Sequence, residues 1–271
     1  MDKKIVFIGA GSMAEAIIAG ILKSKFVSAD SINVINKSNQ DRVARLEQRY
    51  HVQYPENKRA VIEAADIVVL STKPYDIETA VESVRSYLHE DQLIVSVIAG
   101  ISTDYIGELI DKQIPIVRAM PNTSAAIGQS ATAISAGKFA TAAQLQLTKA
   151  LFDTIGLTVT VEEANMHTVT SISGSGPAYI YYLVEAMEKA AIDAGLEPLI
   201  AKQLISQTVL GAGEMLKAST EPAAELRKKI TSKRGTTEAG IEVLNKCQFQ
   251  EAVIACVESA RKRSIALGKQ E

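Results

Sequence analysis

Along the first 160 residues, short apolar runs alternate with segments whose apolar residues recur at helical spacing. The runs are Ile5–Ile8, Ile32–Ile35, Ile67–Leu70, 93–98 and 116–117, with weaker candidates at 131–134 and 157–161. They are β-branched and apolar at nearly every position, which suits interior strands covered by helices on both faces. Between them, 13–22, 41–50, 77–88 and 141–152 carry the helical period. Strand and helix in alternation predict an α/β fold, a Rossmann-like doubly wound parallel sheet. After Glu162 the pattern becomes all-helical, with helices expected at 178–194, 198–217, 223–230, 237–245 and 249–267. Pro177 fits a first helical turn capped by Ser173 or Ser175, and Gly195 fits a stop. The expected organisation is a dinucleotide-binding domain over 1–160 and an all-α domain over 161–271. The helix from Ala178 is apolar on more than one face (Ile180, Tyr181, Leu183, Val184, Met187), so a partner subunit is the simplest source of its burial.

Composition narrows the function classes. The chain has 271 residues, 47% hydrophobic and 22% charged, which is ordinary globular composition. Lys and Arg number 29 against 31 Asp and Glu, a net charge of −2 with no basic footprint for nucleic acid or an anionic membrane. The two cysteines, Cys247 and Cys256, are too few for a disulfide framework or thiolate metal site and match no C-x-x-C motif. They are expected as reduced packing residues, and the chain as cytoplasmic. His51, His89 and His167 form no H-E-x-x-H, so no metal is expected. Lys3, Lys4 and Ala14-Glu15-Ala16 imitate a secretory leader, but Gly9 and Gly11 interrupt its apolar stretch. No apolar stretch reaches membrane-spanning length.

Gly9-Ala10-Gly11-Ser12-Met13-Ala14 follows the first strand and opens the first helix. Glycines there permit a tight turn and close approach of a pyrophosphate to the helix N-terminus, and the strand–helix context makes the short motif informative. After the second strand, Asn36-Lys37-Ser38 offers a cation with amide and hydroxyl donors where NAD-preferring sites carry a carboxylate. That set favours NADPH over NADH, although a plain polar turn would look similar. Ser71, Thr72, Lys73 and Pro74 follow the third strand, and Ala99-Gly100 the fourth, at the sheet edge where open α/β folds bind ligands. Arg118 reads either as a surface charge or as an anchor for the following loop.

Two tail segments, Ser173-Gly174-Ser175-Gly176-Pro177 and Thr231-Ser232-Lys233-Arg234-Gly235-Thr236-Thr237, are rich in small and hydroxyl residues. They read equally as capped helix starts or as a receptor for a carboxylate. The series G-A-G-x-M-A, K-P at 73–74, R-A-M-P-N-T at 118–123, S-G-S-G-P-A-Y at 173–179 and T-S-x-x-G-T-T at 231–237 spans the chain. In this order it resembles the pyrroline-5-carboxylate reductase family. The resemblance implies reduction of 1-pyrroline-5-carboxylate to L-proline, the last step of proline biosynthesis, by NADPH or NADH. It also implies a helical dimerisation domain, a homodimer often assembled into larger rings, and an active site using both subunits.

Carried over by position, the family's cofactor contacts fall on Ile8, Gly9, Ala10, Gly11, Ser12, Met13, Asn36, Lys37 and Ser38. Others fall on Asn57 beside the adenosine, and on Ser71, Thr72, Lys73, Pro74, Val97, Ile98 and Ala99. Substrate contacts fall on Glu163, Ser232, Gly235, Thr236 and Thr237, with Thr237 hydrogen-bonded to the ring nitrogen as the catalytic residue. Two roles are open to Glu163, facing the iminium charge or capping a helix. Such families usually read Ser-Pro-Gly-Gly where this chain has Ser232-Lys233-Arg234-Gly235. Loss of the proline loosens the loop, whereas Arg234 either strains a position that needs positive φ or pairs with the substrate carboxylate. A β-hydroxyacid dehydrogenase is disfavoured, because the helix after Pro177 has no lysine before Lys189. A paralogue retired from catalysis to a regulatory or binding role is the remaining alternative.

Overall fold

The structure, a computed structural model, describes residues 3–37 and 39–268. Among the described residues the apolar runs become strands β1 (Ile5–Ile8), β2 (Ile32–Ile35), β3 (Ile67–Leu70), β4 (Leu93–Ser96), β5 (Ile116–Met120), β6 (Ser130–Ala136) and β7 (Gly156–Thr160). They form one sheet in the order β2-β1-β3-β4-β5-β6-β7. Helices α1 (Ser12–Lys23), α2 (Gln40–Tyr50), α3 (Lys58–Glu63), α4 (Ile77–Glu82), α5 (Thr103–Ile110) and α6 (Ala142–Phe152) lie between strands in the chain.

Alternation along each strand splits the interior in two. Ile5 and Phe7 join Ile17, Ile18, Leu46 and Phe152 in one core, while Val6 and Ile8 join Ile62, Val81, Ile106 and Ile110 in another. A side chain of this size contributes about 1.5–3 kcal/mol when fully buried, so both faces drive sheet formation. The parallel register pairs Ile8 with Ile35 and with Leu70, and Leu70 with Ser96. The segments following β1 to β4 consequently leave the sheet along a single edge.

Several expectations need correction. The sheet is not parallel throughout, since β6 runs antiparallel to β5 with Val117 opposite Ala136. Only nine residues separate Met120 from Ser130, too few for a parallel crossover, which takes a dozen or more. The 77–88 helix stops at Glu82 and resumes as a short 3-10 turn, Arg85–Tyr87. Helices α3 and α5 were not anticipated, being short segments opened by the side-chain caps Asn57 and Ser102.

The chain forms two compact units, Met1–Pro177 with Ser259–Glu271, and Ala178–Glu258. Helices α7 (Met166–Val169), α8 (Gly176–Asp193), α9 (Pro198–Ala218), α10 (Ala223–Lys229), α11 (Thr236–Lys246) and α12 (Phe249–Gly268) complete the described residues. The helix containing Pro177 begins at Gly176, one residue before the proline. A π-helical segment, Thr170–Gly174, follows α7 directly, and the Ser175 amide donates to the Thr170 carbonyl at 2.9 Å. The Ser173 hydroxyl donates back to the Val169 carbonyl, so it extends the preceding helix rather than capping the next. The cysteines are also not interior packing residues; both are free and exposed in the protomer.

Candidate active site

At the β1–α1 turn, glycine is obligatory for two reasons. Gly9 adopts φ +112°, and a Cβ there would stand 2.7 Å from the Ser71 carbonyl oxygen. That carbonyl has little freedom, because the Ser71 amide donates to Ile8 (2.9 Å) and its hydroxyl to the Gly9 carbonyl (3.0 Å). Gly11 occupies the N-cap of α1 in an extended conformation, with no side chain accepting from the first turn. The twelve-residue helix therefore presents uncapped amides and the positive end of its dipole, a receptor for a phosphate. Met13 and Ser12 lie in that first turn.

Sequence reasoning missed the brace behind this turn. Arg42 on α2 donates through Nε to the Ala10 carbonyl (2.9 Å) and through Nη2 to Glu15 (2.5 Å). Arg49 and Tyr50 meet the same carboxylate at 3.1 and 3.3 Å. Nothing local in the sequence signals a contact spanning some thirty residues. Beyond β2, the Asn36 amide group donates to the Asn39 carbonyl, and Asn39 caps α2 by accepting from the Arg42 amide. Lys37 is exposed, while Ser38 lies outside the described residues. Asn57 caps α3, accepting from the Ala60 amide at 3.1 Å.

On the same edge, the Thr72 hydroxyl oxygen is buried without a hydrogen-bond partner, an acceptor and donor left over for a ligand. Lys73 rests its ammonium 5.6 Å from the centre of the Tyr75 ring, and the Tyr75 hydroxyl raises its pKa by hydrogen bonding. Pro74 opens the 3-10 turn that follows. Val97 continues the ladder by donating to the Leu70 carbonyl (3.0 Å), the Ile98 side chain is buried, and Ala99 is half-buried. The uncapped α1 start, the glycine-forced turn and the unsatisfied Thr72 hydroxyl suit a dinucleotide.

Arg118 is not a surface charge. It is 1% exposed on β5, and its Nη1 donates to Glu163 at 3.3 Å. Burial pulls its pKa down while the Glu163 carboxylate holds it up. Glu163 also accepts from Thr103 at the start of α5, from the amide at 2.8 Å and from the hydroxyl at 2.5 Å. Burial and the nearby Arg118 lower the pKa of His167, whose Nδ1 meets the Ser264 hydroxyl at 3.0 Å. Asn122, in the loop after β5, donates to the Ser173 carbonyl at 3.0 Å.

The remaining candidates gather in the second unit on one turn and one helix start. The Gly235 amide donates to the Ser232 carbonyl (3.0 Å), closing a turn with Arg234 in its third position at φ +62°. Type II turns place positive φ there and favour glycine, so arginine occupies a strained backbone position. Its amide donates to Glu238 at 2.5 Å. A Cβ on Gly235 would overlap the Ser232 hydroxyl and come 2.9 Å from the Ser232 carbonyl. Gly235 is the N-cap of the eleven-residue α11 with no side-chain cap, and Thr236 and Thr237 are its first two residues.

A doubly wound sheet with a glycine-forced, uncapped turn at its carboxyl edge, continued by a helical unit, defines a dinucleotide-binding protein of the oxidoreductase type. Residues 4–100 match the family described as NADP oxidoreductase coenzyme F420-dependent, and 163–267 match pyrroline-5-carboxylate reductase dimerisation. Pyrroline-5-carboxylate reductase 2 of Bacillus subtilis is 44% identical over 99% of this chain and 96% of its own. A solved pyrroline-5-carboxylate reductase from Coxiella burnetii superposes with a TM-score of 0.90 at 33% identity, covering all of both chains. A pyrroline carboxylate reductase from Plasmodium falciparum, solved with NADP bound, does so with 0.90 at 27%, covering 99% of each. The chain belongs to the pyrroline-5-carboxylate reductase family and carries its dimerisation domain. Among the described residues, no helix is long and apolar enough to cross a membrane.

Proposed function

We propose that the protein reduces 1-pyrroline-5-carboxylate to L-proline with NADPH, and less well with NADH. The observation that carries this reading is full-length similarity to reductases of that name, joined to a β1–α1 turn built for a pyrophosphate. Residues 1–160 serve the dinucleotide and 161–271 the substrate and the subunit contact.

The edge from Gly9 to Ala99 would hold the dinucleotide, which would supply the hydride for the imine carbon. The α1 amides would hold its pyrophosphate, Thr72 would donate or accept beside it, and Lys37 would supply a cation for a 2′-phosphate. The uncapped amides at the start of α11, with the Ser232 hydroxyl, hold the substrate carboxylate. Thr237 orients the ring nitrogen and relays to it, from solvent, the proton that makes the adjacent carbon electrophilic. No strong nucleophile is required of the chain; positioning and electrostatics carry the step.

The active unit is a homodimer, which larger rings would repeat. Tyr182 (78% exposed), Ile230 (71%) and Ile254 (69%) leave much apolar surface on the second unit of the protomer, and a second copy supplies its cover. The compartment we assign is the cytoplasm, on the free cysteines and the nicotinamide cofactor.

Oxidation of NADPH by the purified protein with 1-pyrroline-5-carboxylate tests the reading directly, with NADH in parallel. Turnover at enzyme-like rates is expected. A folded oligomer that binds NADPH but turns over neither pair is instead a binding paralogue.

A further inference from the structure

The β1–α1 turn faces two difficulties as a phosphate receptor, one of backbone direction and one of charge. The hydrogen-bond ladder of α1 opens with the Glu15 amide on the Gly11 carbonyl (3.0 Å), so the Ala10 carbonyl stands one residue outside it. Gly11 has no Cβ to restrict its φ, and nothing local stops the Ala10–Gly11 peptide from tipping. Arg42 on α2 holds that peptide by donating from Nε to the Ala10 carbonyl at 2.9 Å. A trans peptide is planar, with its C=O and N–H pointing in opposite directions. Fixing the Ala10 oxygen toward α2 therefore aims the amide of Gly11, an exposed residue, away from α2.

The difficulty of charge comes from Glu15, which lies in the first turn of α1, the end whose amides are left for a phosphate. A carboxylate there suits the helix dipole but repels a pyrophosphate drawn to the same end. Three donors from α2 draw it aside: Arg42 Nη2 at 2.5 Å, Arg49 Nη1 at 3.1 Å and the Tyr50 hydroxyl at 3.3 Å. The Arg49 side chain is 70% exposed, so its pair is screened by solvent, whereas those of Arg42 and Glu15 are 25% and 21% exposed. One guanidinium thus serves both the carbonyl and the carboxylate.

We propose that Arg42 is a positioning residue for the cofactor. Its Nε sets the Ala10–Gly11 peptide so that the Gly11 amide faces the pyrophosphate, and its Nη2 keeps Glu15 from competing with that pyrophosphate for the α1 terminus. It acts on the turn and not on a 2′-phosphate. The inference rests on the dinucleotide role proposed above for this turn, and it adds a residue that lies outside every motif, 32 positions from Ala10.

The test uses the full-length protein as Arg42→Met, Arg42→Lys, Glu15→Gln and the Arg42→Met/Glu15→Gln double variant. Dissociation constants for NADPH and for NADH come from nucleotide fluorescence without substrate, and KM from NADPH oxidation. Arg42→Met should weaken both nucleotides by the same factor, about ten- to thirtyfold, as for loss of a hydrogen bond to a charged group. Arg42→Lys, with one donor point for two acceptors, should fall between Arg42→Met and the wild type. Glu15→Gln should tighten NADPH at least about threefold in the Arg42→Met background and less than that in the wild type. KM for 1-pyrroline-5-carboxylate at saturating NADPH should stay within about twofold in every variant. Unchanged affinity in Arg42→Met overturns the proposal. So does a loss about tenfold greater for NADPH than for NADH, which would make the guanidinium a ligand of the 2′-phosphate. A merely structural arginine would give no gain from Glu15→Gln, or an equal gain in both backgrounds, and either result also overturns it. Should Arg42→Met fail to fold, Arg42→Lys with and without Glu15→Gln carries the same comparison. A wild type that binds neither nucleotide overturns the dinucleotide reading together with the proposal. One that binds NADPH without reducing the imine refutes the reaction alone, and the titrations still decide the role of Arg42.

Discussion

Replacing Arg234 with glycine and, separately, with alanine isolates the backbone strain in the substrate-side turn. Arg234 sits at φ +62° in a turn closed by the Ser232 carbonyl and the Gly235 amide. A left-handed L residue costs about 1–2 kcal/mol. Glycine removes that cost, but its freer unfolded chain gives back about 0.4–1 kcal/mol. The net gain expected for Arg234→Gly is about 0.5–1 kcal/mol, or about 1–3 °C in melting temperature for a chain of this size. Alanine keeps the Cβ and with it the strain, so Arg234→Ala should gain nothing. Both variants retain the backbone amide that donates to Glu238, so the turn keeps its shape and substrate KM should not change. Calorimetric melts at matched protein concentration measure the difference, because subunit association makes the midpoint concentration-dependent. If alanine stabilises as much as glycine, the strain argument is wrong. If both variants raise the substrate KM, the guanidinium is a carboxylate ligand instead.

Gly9→Ala combines an unfavourable φ with a Cβ 2.7 Å from the Ser71 carbonyl, together about 2–5 kcal/mol of strain and overlap. NADPH affinity by fluorescence titration should fall at least about thirtyfold, and a change under threefold would show that the turn does not carry the pyrophosphate. Thr237→Ala should lower kcat by about tenfold or more with NADPH binding intact, measured by steady-state oxidation; unchanged kcat removes Thr237 from the proton path. His167 is held below its ordinary pKa by burial and Arg118, so the unfolded chain protonates first as the pH falls. Urea-unfolding midpoints should therefore decline below about pH 6.5, the unfolded value, and His167→Gln should flatten that part of the profile. A variant profile parallel to wild type places the proton uptake elsewhere.

The interior strands β1 to β4 were legible because both of their faces are apolar, and the glycine turn because its backbone demands are local. The antiparallel β6 was not, since direction depends on how few residues connect it to β5 rather than on its own composition. Arg118 illustrates a second limit. A cation in a strand shows no partner until the fold brings Glu163 to it across 45 residues. The same holds for Arg42, whose hold on Ala10 exists only once α2 lies beside α1. The π-helical run at Thr170–Gly174 escaped because Ser, Gly and Pro in succession look like a break. The exposed cysteines were misread by a burial statistic that takes no account of a helical unit with few interior positions.

The last helix gives the chain an unusual order of completion. Its final turns, at Ser264 and Leu267, pack on Gly100 within the sheet-bearing unit, whereas Ala178–Glu258 belongs to the other. On a ribosome adding about 5–20 residues per second, the intervening segment takes roughly 4–16 seconds to emerge. For that interval the nascent sheet has its β-strands but lacks the wedge behind the turn that follows β4. The dinucleotide groove is backed only once Ser264 and Leu267 have emerged, so premature stops that spare every nucleotide-contacting residue would still leave that groove unbacked.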